Sequence, residues 1–209
     1  MGTEVDVDRA VAAAHRSFPE FARSNRADRI ELLERTLVTY QKRYDEIAEA
    51  ITDEMGAPIS LAHGSQAGIG IGHLKTMIRI LKDFPFQESQ GKTRLILEPV
   101  GICALITPWN WPINQIACKV VPALAAGCTM VLKPSEYAPV SAALWADVMD
   151  EAGVPKGVFN LVYGAGPVAG VALSGHPDVD LVSFTGSTRA GIEVARNAAE
   201  KATVVGSKT

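Results

Sequence analysis

An asparagine lies between two prolines in residues 107–112, which read Thr-Pro-Trp-Asn-Trp-Pro. Proline fixes its own backbone angle, so Pro108 and Pro112 restrict this segment. The amide of Asn110 can donate two hydrogen bonds, and a donor held in place in advance can stabilise a developing oxyanion. The alternative is a turn asparagine flanked by core tryptophans, and the spacing alone leaves both interpretations open.

A lysine and a glutamate stand close together in residues 133–136, Lys-Pro-Ser-Glu, directly after a short apolar run. The ammonium group of Lys133 is a point charge suited to phosphate or ribose oxygens. The carboxylate of Glu136 can accept hydrogen bonds from ribose hydroxyls if that run is the second strand of a nucleotide-binding sheet. The alternative is a solvated ion pair on the surface.

A third segment, Phe-Thr-Gly-Ser-Thr at residues 184–188, ends another apolar run and precedes a helical pattern. Gly186 allows close backbone approach, and Ser187 or Thr188 can cap the helix. Free N–H groups at that helix terminus would form a pyrophosphate site, although capping alone would explain the hydroxyls. The glycine-rich stretch 164–170 lacks the GxGxxG spacing, so a tight turn is its expected role.

The histidines and cysteines offer little further chemistry. The four histidines have no metal-ligand spacing, and we expect them to be structural or solvated: His15, His63, His73 and His176. The three cysteines form no CxxC motif, and their odd number fits free thiols in a reducing cytosol. Cys103 lies in a predicted strand, Cys118 in a predicted helix and Cys128 before a strand, so we expect all three to be buried hydrophobes.

Helices are predicted for most of the first 90 residues. Apolar residues at steps of three and four indicate a helix from residue 5 that Pro19 breaks, a long helix over 26–55 and a weaker one over about 65–81. Gly56 and Pro58 give the expected stop signal for the second. This part of the chain, residues 1–90, is predicted to form an N-terminal helical segment.

The pattern changes near Gly91, after which short apolar runs alternate with helical stretches. This order is typical of an α/β fold with an open, Rossmann-like parallel sheet, in which ligands bind beyond the carboxyl ends of the strands. Residues 91–209 are therefore predicted to be a partial Rossmann-like domain, with a short bridging strand at 92–98. Strands are predicted at 101–106, 129–132, 158–162 and 181–184, and helices at 113–125, 141–152, 168–173 and 188–201.

Charge and hydropathy exclude several classes of partner. A net charge of −3 leaves no basic surface for nucleic acid. No apolar run approaches the roughly 20 residues needed to cross a bilayer, and the polar, acidic start of the chain does not resemble a signal peptide. We expect a cytoplasmic protein that binds neither nucleic acid nor membrane.

Taken together, four segments resemble the aldehyde dehydrogenase superfamily in their order and separations: residues 108–112, 122–128, 133–136 and 184–188. Residues 54–58, Glu-Met-Gly-Ala-Pro, also resemble the end of that family's N-terminal helical segment. The resemblance extends from about residue 6 to residue 197. It implies NAD as cofactor, with NADP possible, and a small-molecule aldehyde as the substrate of an intact relative.

The resemblance also implies roles for individual residues. Asn110 would be the side-chain donor of the oxyanion hole. Lys133 and Glu136 would hold the adenosine ribose, the acidic residue favouring NAD over NADP. Gly186 and Ser187 would contact the pyrophosphate. The remaining implied cofactor contacts are Ile106, Thr107, Pro108 and Trp109 on the nicotinamide side, Gly166 and Gly170 beside the adenine, and Ser135, Phe184 and Thr185 within the motifs.

The sequence departs from the family's pattern after residue 197. The family places a Glu-Leu-Gly-Gly segment soon after the helix that begins near Thr188, and its nucleophilic cysteine later still. Neither occurs in these 209 residues, and none of the three cysteines matches the nucleophile's position. We therefore expect the cofactor-binding part of an aldehyde dehydrogenase, inactive alone and prone to form homo-oligomers or to self-associate. The alternative is a non-catalytic module that binds a nucleotide or another chain.

Overall fold

Helices make up most of the first half of the chain. The computed structural model describes residues 1–199 and the backbone of residues 204–208. Its helices are α1 (Glu4–Phe21), α2 (Arg26–Lys42), α3 (Tyr44–Met55), α4 (Ile59–Leu61), α5 (Gly68–Asp83), α6 (Pro112–Ala126), α7 (Pro139–Glu151), α8 (Val171–Ser174) and α9 (Thr188–Ala199), with π-helical turns at Ala62–Gln66 and Gly166–Gly170.

The strands form two sheets. A small antiparallel hairpin pairs β1 (Gln87–Gln90) with β2 (Thr93–Ile96). The larger sheet is parallel and has the order β5-β4-β3-β6-β7. Its strands are β3 (Ile102–Ile106), β4 (Thr129–Lys133), β5 (Phe159–Leu161), β6 (Leu181–Thr185) and β7 (Val204–Lys208). This topology confirms the predicted Rossmann-like α/β fold.

Helices cover both faces of the parallel sheet. On one face, Cys103 and Leu105 of β3 belong to a core shared with α2, α3, α5, α6 and α7. On the other face, Ile102, Ala104 and Ile106 pack with α1, α8 and α9. Every residue of β3 is buried, as its continuously apolar sequence predicts for a strand covered on both sides.

The first helices differ from the prediction at two points. Pro19 was expected to end the first helix, but α1 continues to Phe21. Only one backbone hydrogen bond is lost there, because proline lacks an N–H and its partner would be the carbonyl of exposed His15. The predicted helix over 26–55 is in fact two helices, interrupted at Arg43, whose guanidinium binds Glu46 on α3 and Asp147 on α7.

Two strands were not predicted. The strand β1 is polar and exposed throughout, so it shows no apolar pattern. The strand β7 lies where the sequence was expected to lose the family's pattern, and it pairs in parallel with β6. The predicted helix over 188–201 begins as expected at Thr188, and its last two residues, Glu200 and Lys201, lie outside the described part of the chain.

None of the helices in the described residues combines the length and the apolar character that crossing a bilayer requires. The longest, α1, contains eighteen residues, and its exposed face carries charged side chains such as Glu4 and Arg9.

Candidate functional site

The three segments singled out in the sequence lie at one edge of the parallel sheet. Strands β4 and β6 flank β3 on either side. The register places Ile106, the last residue of β3, opposite both Lys133 of β4 and Phe184 of β6. The three strands therefore end at the same level, and the segments that follow them lie side by side, where ligands of such sheets bind.

A cavity of about 720 Å³ opens at this edge between the ends of β3 and β6 and the helices α5 and α6. A ligand of modest size would fit a space of this volume. Its lining residues come from four elements: His73 on α5, Pro108, Trp109 and Asn110 after β3, Asn114, Gln115, Cys118 and Lys119 on α6, and Ser183, Thr185, Gly186 and Ser187 at the end of β6.

The loop after β3 presents its polar groups toward this edge. Thr107 is buried, its N–H donates to the carbonyl of Lys133 (3.2 Å), and its Oγ1 has no partner among the described residues. Asn110 is exposed, and Trp109 keeps 48% of its surface exposed, so Asn110 is not enclosed by core tryptophans. Trp111 adopts a left-handed backbone (φ 53°), which turns the chain into α6 at Pro112.

Lys133 is a buried cation and not half of a solvated surface pair. Only 3% of the residue is exposed, and its Nζ donates to the carbonyls of Pro134 (2.7 Å) and Gly164 (2.8 Å). Burial lowers the pKa of Lys133 because it disfavours the charged form, while nearby Glu136 acts in the opposite direction. An ammonium group has three N–H donors, and these two carbonyls leave one for a ligand oxygen.

The rest of the 133–136 segment forms a tight turn. Ser135 is buried, and its Oγ accepts a hydrogen bond from the N–H of Tyr137 (3.2 Å). Glu136 is exposed, with Oε2 at 3.9 Å from Nζ of Lys133. Gly170, in the second π-helical turn, lies beside the lysine stem, since a Cβ built there would be 3.8 Å from Cε of Lys133. Gly166 opens the same turn and has open space around it.

The end of β6 combines a buried ring with a close backbone approach. Phe184 is buried, and a Cβ on Gly186 would lie 2.5 Å from its ring, so a larger residue at position 186 would displace the ring. Thr185 is half-buried on the cavity wall. Ser187 caps α9, accepting from the N–H of Ala190 through Oγ (3.3 Å) and from Gly191 through its carbonyl (2.9 Å).

The cavity also contains residues that the sequence did not single out. Nε2 of His73 lies 2.9 Å from Oδ1 of Asn114, and Nζ of Lys119 donates to Oγ of Ser183 (2.9 Å). Positions 114, 115, 118 and 119 follow the spacing of one helix face, which was a usable signal once Asn110 had been placed just before the helix. The approach of His73 on α5 depends on tertiary packing and left no local pattern.

The predicted burial is wrong for one cysteine. Cys118 was expected to be buried inside its helix, but it is exposed on the cavity face of α6 and donates to the carbonyl of Gln115 (3.4 Å). The sequence showed that residue 118 was helical without showing which helix face met the sheet. Cys103 and Cys128 are buried, as expected, at the amino end of the sheet, away from the cavity.

Comparison with known proteins agrees with this architecture. A family model described as the aldehyde dehydrogenase family matches residues 1–207, farther than the motifs alone indicated. A 3-succinoylsemialdehyde-pyridine dehydrogenase of a Pseudomonas species is 60% identical over 95% of this chain. This chain spans only 42% of that relative's length.

Solved structures give the same result. A Bartonella henselae aldehyde dehydrogenase superposes on 99% of this chain with a TM-score of 0.97 and 44% identity. Aldehyde dehydrogenase C of Pseudomonas syringae, solved with NAD+ and octanal, superposes on 99% with a TM-score of 0.98 and 47% identity. The chain covers 44% and 43% of those two proteins. On this sequence match and this fold, the chain belongs to the aldehyde dehydrogenase family.

Proposed function

We propose that this chain is the cofactor-binding part of an NAD-dependent aldehyde dehydrogenase, which oxidises an aldehyde to a carboxylic acid. The observation that carries the proposal is the convergence of three strand ends, at Ile106, Lys133 and Thr185, on one edge of a parallel sheet. Family membership adds weight, because two neighbours of the same fold were solved with NAD+.

The residues present suit a dinucleotide. Lys133 keeps one N–H for a ribose or phosphate oxygen, and the exposed carboxylate of Glu136 lies beside it to accept from ribose hydroxyls. That carboxylate would repel a 2′-phosphate, so NAD is the expected cofactor rather than NADP. The buried, unpaired Oγ1 of Thr107 fits a polar ligand group at the other end of the site. The turn at Gly186 and Ser187 would hold the pyrophosphate.

The aldehyde would lie in the cavity beside Asn110. When bound, NAD supplies the hydride acceptor for the oxidation. The amide of Asn110 is exposed at the cavity, so it can donate a hydrogen bond to the aldehyde oxygen as negative charge develops there. The relative from Pseudomonas acts on an aldehyde that carries a pyridine and a ketone, and a related polar aldehyde is our proposed substrate.

We also propose that the chain is cytoplasmic and that it does not oxidise aldehydes by itself. We further propose that it associates with another polypeptide or with other copies of itself. The thiols of Cys103, Cys118 and Cys128 are reduced, which supports a reducing compartment. The cavity, as formed by the described residues, has no carboxylate among its lining residues that could serve as a general base.

Titration calorimetry with NAD and NADP tests the cofactor assignment. We expect NAD to bind, and Glu136→Ala to weaken it by about 1–3 kcal/mol because a charged acceptor for ribose hydroxyls is lost. Glu88→Ala is the matched control, since Glu88 is exposed on the hairpin strand β1. The same affinity for NAD in wild type and Glu136→Ala would contradict the assignment. A preference for NADP in wild type would contradict the choice of cofactor.

A further inference from the structure

One wall of the cavity, formed by His73 of α5 with Asn114 and Gln115 of α6, consists of polar side chains; we call it the helical wall. Pro108 and the half-exposed ring of Trp109 also line the cavity. The lining therefore combines hydrogen-bonding side chains with apolar, aromatic ones. A small site with both kinds of surface fixes the orientation of its ligand.

The hydrogen bond in the helical wall has a defined direction. Oδ1 of Asn114 can only accept, so Nε2–H of His73 donates to it across 2.9 Å. The Nδ2 group of Asn114 then keeps both of its N–H donors, and these have no partner among residues 1–199. Asn114 is half-buried, and His73 holds its amide with the oxygen already occupied. The group left for a ligand is a donor.

The charges around the cavity favour the same kind of ligand. Its lining residues include Lys119, which donates to Ser183, and no aspartate or glutamate among the described residues. An alkyl chain placed against the helical wall would separate Asn114 from water without replacing its hydrogen bonds. A buried donor left unpaired in this way weakens binding, and sites built to hydrogen-bond a ligand reject analogues that lack the acceptor.

We propose that Asn114, oriented by His73, is a specificity-determining residue that binds a hydrogen-bond acceptor on the substrate beyond its aldehyde carbon. The substrate class is then aldehydes that carry a ring nitrogen or a second carbonyl, rather than simple alkyl aldehydes. This inference rests on the proposed function, since it assigns the cavity beside Asn110 to the aldehyde.

Binding of two matched ketones to the full chain tests the proposal. 3-Acetylpyridine and acetophenone have the same shape and differ by one ring nitrogen, and ketones form imines with lysines less readily than aldehydes do. We expect 3-acetylpyridine to bind about three- to tenfold more tightly, the range of one neutral hydrogen bond. In ¹⁵N-labelled protein it should also shift the side-chain N–H₂ signals of Asn114, which are identified by their loss in Asn114→Leu.

The Asn114→Leu variant should bind both ketones equally, while Gln41→Leu, at an exposed amide on α2, should keep the wild-type preference. Equal binding by wild type, tighter binding of 2-octanone than of 3-acetylpyridine, or no binding of any ketone would overturn the proposal. NAD is titrated separately. If NAD does not bind but the preference for 3-acetylpyridine depends on Asn114, the cofactor assignment is wrong and the role of Asn114 is supported. If NAD binds but the preference does not depend on Asn114, only the role of Asn114 is rejected.

Discussion

Cys103 and Cys128 are two interacting thiols at the amino end of the sheet. The pKa of Cys128 is lowered because it accepts hydrogen bonds from the Cys103 thiol and from the N–H groups of Gly101 and Val100, with Arg29 also contributing. The pKa of Cys103 is raised, first because it donates to Cys128 and then because it is buried. The pair therefore gives up its first proton from Cys128.

This shift makes stability depend on pH. Below the ordinary thiol pKa of 9.0, Cys128 is ionised in the folded chain over a range where it is protonated in the unfolded chain. The unfolded state then binds more protons, so stability rises with pH through that range, by about 1.4 kcal/mol for each unit of pKa difference. It is lost as the pH falls through the folded pKa. Urea unfolding at several pH values should show this slope in wild type.

Two variants separate this effect from the general pH dependence of the protein. Cys128→Ala should reduce the slope, while Cys118→Ala, at the exposed thiol, should retain it. Equal slopes in wild type and Cys128→Ala would show that the thiol is not ionised in the folded chain. The comparison uses differences between variants, which cancel the titration of groups that do not contact the substituted thiol.

Individual site residues could be predicted where their place along the chain fixed their place in space. Asn110, Lys133 and Glu136 were predicted as site residues because each stands at or just after the end of a strand, and parallel strands bring their carboxyl ends to one edge. His73 could not be found in this way, since it meets Asn114 only through the packing of α5 on α6. Cys118 was wrongly expected to be buried because helical periodicity alone did not show which face of α6 met the sheet.

At the scale of elements, two glycines of α5 give a matched test of packing. A Cβ at Gly70 would lie 2.6 Å from the ring of Tyr40, whereas a Cβ at Gly72 would meet nothing within 4 Å. In a helix interior, alanine is more favourable than glycine by about 1 kcal/mol of folding free energy. At position 70 that gain is outweighed by overpacking, which typically costs about 1–3 kcal/mol.

We therefore expect Gly72→Ala to raise the free energy of unfolding by up to about 1 kcal/mol and Gly70→Ala to lower it. Urea unfolding followed by circular dichroism measures both. If the two variants were stabilised equally, the close approach of α2 and α5 at Tyr40 would not exist in solution. Because Tyr40 also donates to the carbonyl of Ala67, its ring cannot move away without losing that bond.

The main elements were predictable where the pattern was strong. The apolar runs that became β3, β4 and β6 lie within one or two residues of their predicted bounds. The strand β1 could not be predicted because it is polar and stabilised by pairing with β2 rather than by burial. Arg43 interrupts a continuous helical pattern, and only its tertiary ion pairs with α7 give a reason for the break. The division into two domains at residue 90 stays a prediction.

At the scale of the whole molecule, we expect this chain alone to form no NADH from aldehydes. All three cysteines were expected to be buried, but Cys118 is exposed in the cavity, so burial does not exclude it as a nucleophile. The remaining reason is that no carboxylate lines the cavity among the described residues to act as a general base. A coupled absorbance assay with 3-pyridinecarboxaldehyde and NAD should stay at background.

The control for this prediction is Cys118→Ser, which should give the same background rate as wild type. Steady NADH formation by a preparation of confirmed intact mass, abolished in Cys118→Ser, would contradict the prediction. It would also identify Cys118 as a nucleophile placed beside the amide of Asn110.

The exposed edges of the molecule predict self-association. Among the described strands, none pairs with the outer side of β7, and an unpaired edge can pair with another chain. The hairpin adds an exposed apolar run at Leu95, Ile96 and Leu97. Light scattering should show a mass that rises with concentration in the micromolar range, and Ile96→Lys should reduce this rise. A monomeric mass throughout would count against this expectation.

The position of α1 has a consequence for synthesis. Its buried residues Val7, Val11 and Ala14 pack against the same face of the sheet as Val131 and Val162. On the ribosome, where chains emerge amino end first, α1 appears long before β4 and β5 do. Its apolar stripe stays uncovered while α2 to α5 and the hairpin emerge, because β3, the first strand that packs on it, follows them. During that interval α1 is the segment of the nascent chain that a chaperone would have most reason to hold.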